Sequence, residues 1–150
     1  MTGGQSMVLE ATYLGTLVQR ELQALLDRGG VLAGDSAGAI AIGCFWLTMT
    51  PEGFGKRTDD LCLLPKVAVS PHANRPRDYS VDSAVLGYLA NHSGPMGTIG
   101  IDIDENTVLV LKMGTADVFG TGNVSFIDVA RDAQKPYLRL SPGQRHDLAR

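Results

Sequence analysis

Residues 30 to 43 read GVLAGDSAGAIAIG, and at the centre of this stretch stands Gly34-Asp35-Ser36-Ala37-Gly38, a G-x-S-x-G pentad. A serine hydroxyl is a poor nucleophile unless the backbone presents it at a sharp bend. Glycines on both flanks let a strand turn straight into a helix without Cβ clashes. Gly30 to Ala33 is the predicted incoming strand, and Ala37 to Gly43 is a helix start small enough to pack closely. The first turn of such a helix sets backbone N–H groups beside Ser36, where an oxyanion would form. The competing explanation is a Gly/Ala-rich turn whose serine merely caps the helix.

Upstream, Ser6 to Leu14 reads as a short helix ended by Gly15, and Thr16 with Gln19 makes a capping box for a second. Leu17, Val18, Leu22, Leu25 and Leu26 recur at helical spacing until Gly29 stops the run. Helix, strand, helix is the cadence of an α/β layer fold. The chain opens Met1-Thr2-Gly3-Gly4-Gln5, a loop of the kind that follows a strand, so upstream strands are expected to be missing.

Downstream, Thr50 to Arg57 carries loop residues, and Lys66 to Val69 is a short predicted strand ending at Ser70-Pro71-His72. Asn74 to Asp78 is polar loop. Ser80 caps a predicted helix with Val81, Val85, Tyr88 and Leu89 on its apolar face. β-branched runs at 98–103, 107–112, 116–119 and 123–129 predict strands, with 104–106 and 120–122 as hairpin turns. Residues 1–130 are expected to form one α/β domain, and 131–150, with Pro136 and Pro142, a loosely held polar tail.

Composition excludes several functions. The 150 residues, 44% of them hydrophobic, suit one globular domain, and a net charge of −3 with no Lys/Arg stripe argues against nucleic acid or an anionic membrane. No apolar stretch approaches the roughly 20 residues of a bilayer span. Cys44 and Cys62 lie outside any CxxC pair and are expected to be separate buried thiols in a reducing compartment; the alternative is a disulfide closing their 18-residue separation. That makes the cytoplasm the expected location, with secretion open if a missing amino terminus carried a signal peptide. Two cysteines make no zinc site, and no metal or cofactor is expected.

A nucleophilic serine needs a base within reach and a third group to orient that base. Of three histidines, His72 follows a predicted strand end, and neighbouring parallel strands bring their carboxyl ends to one rim. His72 is therefore the candidate base. His92 falls in the last turn of a predicted helix, and His146 in the tail. Glu52, in the loop between Ser36 and His72, is the candidate orienter, with Asp59 next, although acidic residues in polar loops are usually just solvated. Arg75 and Arg77 are candidate forks for a substrate carboxylate; the alternative is a pair of solvated loop arginines.

TGGQ near the start, then RGGVLAGDSAGA, LLPKVAVSPH and IGIDIDENTVLVL, in that order, resemble the cyanophycinase and aspartyl dipeptidase (peptidase E) family of serine peptidases. The resemblance runs from Thr2 to about Asp128. It implies an α/β, three-layer flavodoxin-like fold related to class I glutamine amidotransferase domains, with C-terminal β-hairpins and without the first strands. It also implies roles: Ser36 as nucleophile, His72 as the strand-end histidine, the amides of Gly4 and Ala37 as oxyanion donors, and Gln5 lining the substrate pocket. Members cleave aspartyl or β-aspartyl peptides without metal or cofactor. The chain departs from the family at Asp35, where Thr or Trp is common, at Ala73, and in the absent upstream strands.

The expected function is hydrolysis of a small aspartyl-containing peptide through an acyl-enzyme on Ser36. One alternative is a non-catalytic truncated paralogue that binds a ligand or partner. Another is a small-molecule esterase, which shares the elbow but usually carries more chain between serine and histidine. A sheet short of strands exposes edges, and a homodimer is one way to cover them.

Overall fold

A computed structural model describes residues 1–50, 53–59, 61–75, 99–127 and 137–148. It divides into two units, Met1–Val69 and Ser70–Arg150. In the first, α1 spans Ser6–Tyr13 and α2 Leu17–Asp27. The Thr16 hydroxyl accepts from the Gln19 N–H at 3.5 Å, and Gln19 Oε1 reaches back to the Gly15 N–H at 2.7 Å. The capping box read from the sequence thus forms, displaced by one residue at its return bond. Gly29 ends α2 at φ 78°, with Gly29 N–H donating to Leu26 and Gly30 N–H to Leu25, the paired bonds of a Schellman motif.

Leu22 and Leu26, four apart on α2, pack with Met1, Tyr13, Leu32 and Ile42 against buried Ala41, Leu61 and Leu63. Leu17 and Val18 share the sequence period but stay exposed, because only the later turns of α2 meet this core. The expected strand at 30–33 forms no ladder, and Val31 is 88% exposed. The bonds to Met1, from its N–H to the Ala33 carbonyl and, just beyond the stretch, to its carbonyl from Asp35 N–H, are too few for a strand.

After α3 (Ala37–Ile42) comes an antiparallel hairpin, β1 (Phe45–Thr50) with β2 (Gly53–Asp59), bulged at Thr48/Met49, and β2 takes up much of the stretch expected as a loop. Cys44 and Cys62 bracket this hairpin and are joined as a disulfide. Antiparallel pairing returns the chain beside itself, and a bond from Cys62 N–H to the Gly43 carbonyl closes the base. The expectation of two separate thiols is corrected, and the inference from them to a reducing compartment loses its premise.

β3 (Val67–Pro71) contains the boundary between the units. β4 (Ile99–Ile103), β5 (Thr107–Lys112), β6 (Thr115–Gly120) and β7 (Val124–Ile127) follow the sequence-predicted runs closely. Their pairing does not. One sheet has the order β3-β4-β7-β8 and another β5-β6-β9, so residues 104–106 and 120–122 carry the chain between sheets rather than closing hairpins. The hairpin turn is Met113-Gly114, both at positive φ (48° and 76°), between paired Lys112 and Thr115. Two consecutive left-handed residues match the twist of the flanking strands.

The supposed polar tail supplies β8 (Tyr137–Leu140) and β9 (Arg145–Asp147). Leu140 stands opposite Val124 and is buried with it, and the Arg145 guanidinium grips Asp117 through two bonds, 2.6 and 3.0 Å. Among the described residues of this unit, Ile101, Ala116, Val118, Phe126 and Ile127 are also buried. Asp102 is buried too, 3% exposed, with neither carboxyl oxygen hydrogen-bonded. The helix expected from Ser80 lies outside the described residues.

Candidate active site

In the first unit the pentad builds a strained bend. Ser36 sits at φ 50°, ψ −121°, immediately before α3, in a region that residues with a Cβ rarely enter. The helix begins around it: the Gly38 N–H bonds the Asp35 carbonyl at 2.8 Å, and the N–H groups of Ala39 and Ile40 bond the Ser36 carbonyl. Both glycines are sterically required. A Cβ on Gly34 would stand 2.5 Å from the Gly38 carbonyl oxygen, and one on Gly38 would stand 2.4 Å from that of Met1. Ser36 is half-buried and Ala37 buried.

The TGGQ loop runs beside this bend. A Cβ on Gly3 would lie 2.9 Å from Ser36 Cβ and 3.4 Å from its Oγ, so only a hydrogen fits there. Gly4, at φ 147°, takes a conformation reserved for glycine. Gln5 is exposed and caps α1 with its carbonyl, which accepts from Val8 and Leu9 N–H.

In the second unit His72 follows β3 at φ 61°. Its Nδ1 lies 2.9 Å from Glu105 Oε1. A carboxylate accepts only, so Nδ1 carries the proton of the neutral ring and Nε2 becomes the basic nitrogen. Glu105 is held in turn. Its N–H donates to Asn74 Oδ1 at 2.8 Å, Thr107 Oγ1 bonds its carbonyl at 3.1 Å, and Ala73 N–H bonds the Ile103 carbonyl at 3.1 Å. Asp104 anchors the same turn by accepting from Asn123 N–H at 2.8 Å.

Arg75, read as a fork for substrate, has its guanidinium against the same Glu105 oxygen. The Arg75 hydrogen bond, and after it His72, holds the Glu105 carboxyl below the usual carboxylate range against the opposing pull of desolvation. Glu105 is therefore an ionised carboxylate fixed on the imidazole, the arrangement that orients a general base.

Glu52 and Arg77 lie outside the described residues, and Asp59 ends β2. Sequence reading passed over Glu105 because 104–106 looked like a turn. The available signal was an acidic residue just past the carboxyl end of the predicted strand 98–103. Among the described residues no cluster of three or more His, Cys, Asp or Glu could hold a metal ion.

No protein-family model and no curated protein matches this chain. Among solved structures, the chain is similar to the crystal structure of a peptidase from an acI-B1 Actinobacterium, with 25% sequence identity and a TM-score of 0.73. The likeness covers 97% of this chain and 57% of that one, so the chain spans little more than half the length of that peptidase. The fold is a mixed α/β, peptidase-like one.

Proposed function

We propose that this chain is a serine-type peptidase-like hydrolase that cleaves small aspartyl-containing or β-aspartyl peptides through an acyl-enzyme on Ser36. The observation that carries the proposal is the strained serine at the head of α3, walled by glycines that tolerate no side chain. Backbone strain of this kind needs a reason, and presentation of a nucleophile supplies one. The His72–Glu105 pair and the peptidase neighbour add support.

In this mechanism Ser36 Oγ attacks the scissile carbonyl carbon as His72 Nε2 takes the hydroxyl proton. Glu105 keeps the ring in its reactive tautomer and stabilises the imidazolium. The amides of Gly4 and Ala37 donate to the oxyanion of the tetrahedral intermediate. His72 then protonates the leaving amine, and water repeats the sequence to free the acid.

A fluorophosphonate probe with peptide mapping tests the assignment. Labelling is expected at Ser36 and is lost in Ser36→Ala. A panel of aspartyl dipeptides, β-aspartyl-arginine and simple esters is expected to favour the peptides. Folded protein that stays unlabelled and cleaves no member of the panel would refute the proposal.

A further inference from the structure

Asp35 has no part in the reaction above, yet it grips the glycine loop on both sides of Thr2. Its N–H donates to the Met1 carbonyl at 3.1 Å, and its Oδ1 accepts from the Gly3 N–H, also at 3.1 Å. Any residue at this position makes the first bond. Only an acceptor side chain makes the second.

The gripped segment is the one lying against the nucleophile, for a Cβ on Gly3 would stand 2.9 Å from Ser36 Cβ. The next peptide is that of Gly4, whose φ of 147° turns the loop. The geometry points to Asp35 as a positioning residue that pins Gly3 so that the neighbouring Gly4 amide is held on the oxyanion of Ser36. The inference rests on Ser36 being the nucleophile and goes beyond it. It assigns the pentad's second residue a task, and it makes that task hydrogen-bond acceptance rather than charge. A negative charge beside a developing oxyanion opposes it, so the carboxylate is useful here in spite of its charge.

Asparagine keeps the acceptor and removes the charge; alanine removes both. In fluorophosphonate labelling of the full chain, Asp35→Asn is expected to react at least as fast as wild type. Asp35→Ala is expected to react roughly tenfold to a hundredfold more slowly, since a misplaced donor costs less than one deleted. With an aspartyl dipeptide the loss is expected in kcat, with KM little changed, because the oxyanion exists only beyond the ground state. A side chain that merely stabilised the fold would lower the melting temperature without this kcat-against-KM split.

A second measurement reads the hydrogen bond itself. In 1H–15N spectra the Gly3 amide is expected to move upfield in Asp35→Ala and to stay near its wild-type position in Asp35→Asn. Equal labelling rates for Asp35→Ala and wild type, or a Gly3 amide unmoved by Asp35→Ala, would overturn the inference while leaving Ser36 as nucleophile. Absence of labelling in folded wild type would remove both.

Discussion

Replacing Glu105 by glutamine tests the catalytic reading at its most exposed joint. The carboxylate oxygen 2.9 Å from His72 Nδ1 accepts the ring proton, whereas a glutamine can turn its NH2 group to that nitrogen instead. The ring proton then moves to Nε2, the atom that must be basic. In a fully buried triad such a tautomer change costs about 10⁴ in rate. Here the Glu105 side chain is 32% exposed and His72 28%, so water offers part of the lost acceptance, and the expected loss is roughly a hundredfold to a thousandfold in kcat. The backbone N–H of residue 105 keeps its bond to Asn74, so the turn should survive the change.

The assay is kcat and KM with an aspartyl dipeptide, alongside the fluorophosphonate labelling rate and a thermal melt to establish folding. Glu52→Gln serves as the parallel variant and is expected to leave the rate near wild type. Folded Glu105→Gln with wild-type kcat would refute the assignment of His72's partner. A collapse in Glu52→Gln instead would return the orienting role to the loop carboxylate.

Acid is expected to weaken the second unit. Glu105 and Asp117, ordinarily near 4.5 and 3.8, are both held lower in the fold, chiefly by hydrogen bonds from Arg75 and Arg145. A depressed carboxyl contributes stability above its unfolded value and loses it as pH falls through its folded one, so denaturation midpoints should fall below about pH 4. Arg145→Ala should flatten that loss.

Reducing the Cys44–Cys62 bond releases a loop with a sequence separation of 18, worth about 3 kcal/mol by chain entropy. Urea unfolding with and without dithiothreitol reads this, and two thiols titrating in native, unreduced protein would contradict the pairing. Asp102→Val should raise the melting temperature, because it replaces a buried carboxyl whose oxygens have no hydrogen-bond partner with an apolar side chain. A lower melting temperature would show that the carboxyl is compensated.

Local signals carried the helices and the elbow. Thr16 with Gln19, Gly29 after α2, and the glycines around Ser36 act within a few residues of themselves, so their meaning is present in the order of the letters. The β-branched runs announced strands for the same reason. Which strands pair is a different matter: residues 104–106 and 120–122 look like hairpin turns, and only the sheets reveal that they change partners. β8 and β9 hid in a polar stretch because one or two inward residues suffice once a neighbouring strand supplies the rest of the ladder.

The sequence by itself determined that Ser36 would stand at a glycine-flanked bend and that His72 would end a strand, because bends and strand ends are set by the residues that form them. Only the tertiary structure decided that Glu105 faces His72, that Arg75 lies on that carboxylate, and that Cys44 meets Cys62. Those are contacts between residues 18 to 33 positions apart, made by sheet and hairpin pairing. No local preference records a distance of that kind.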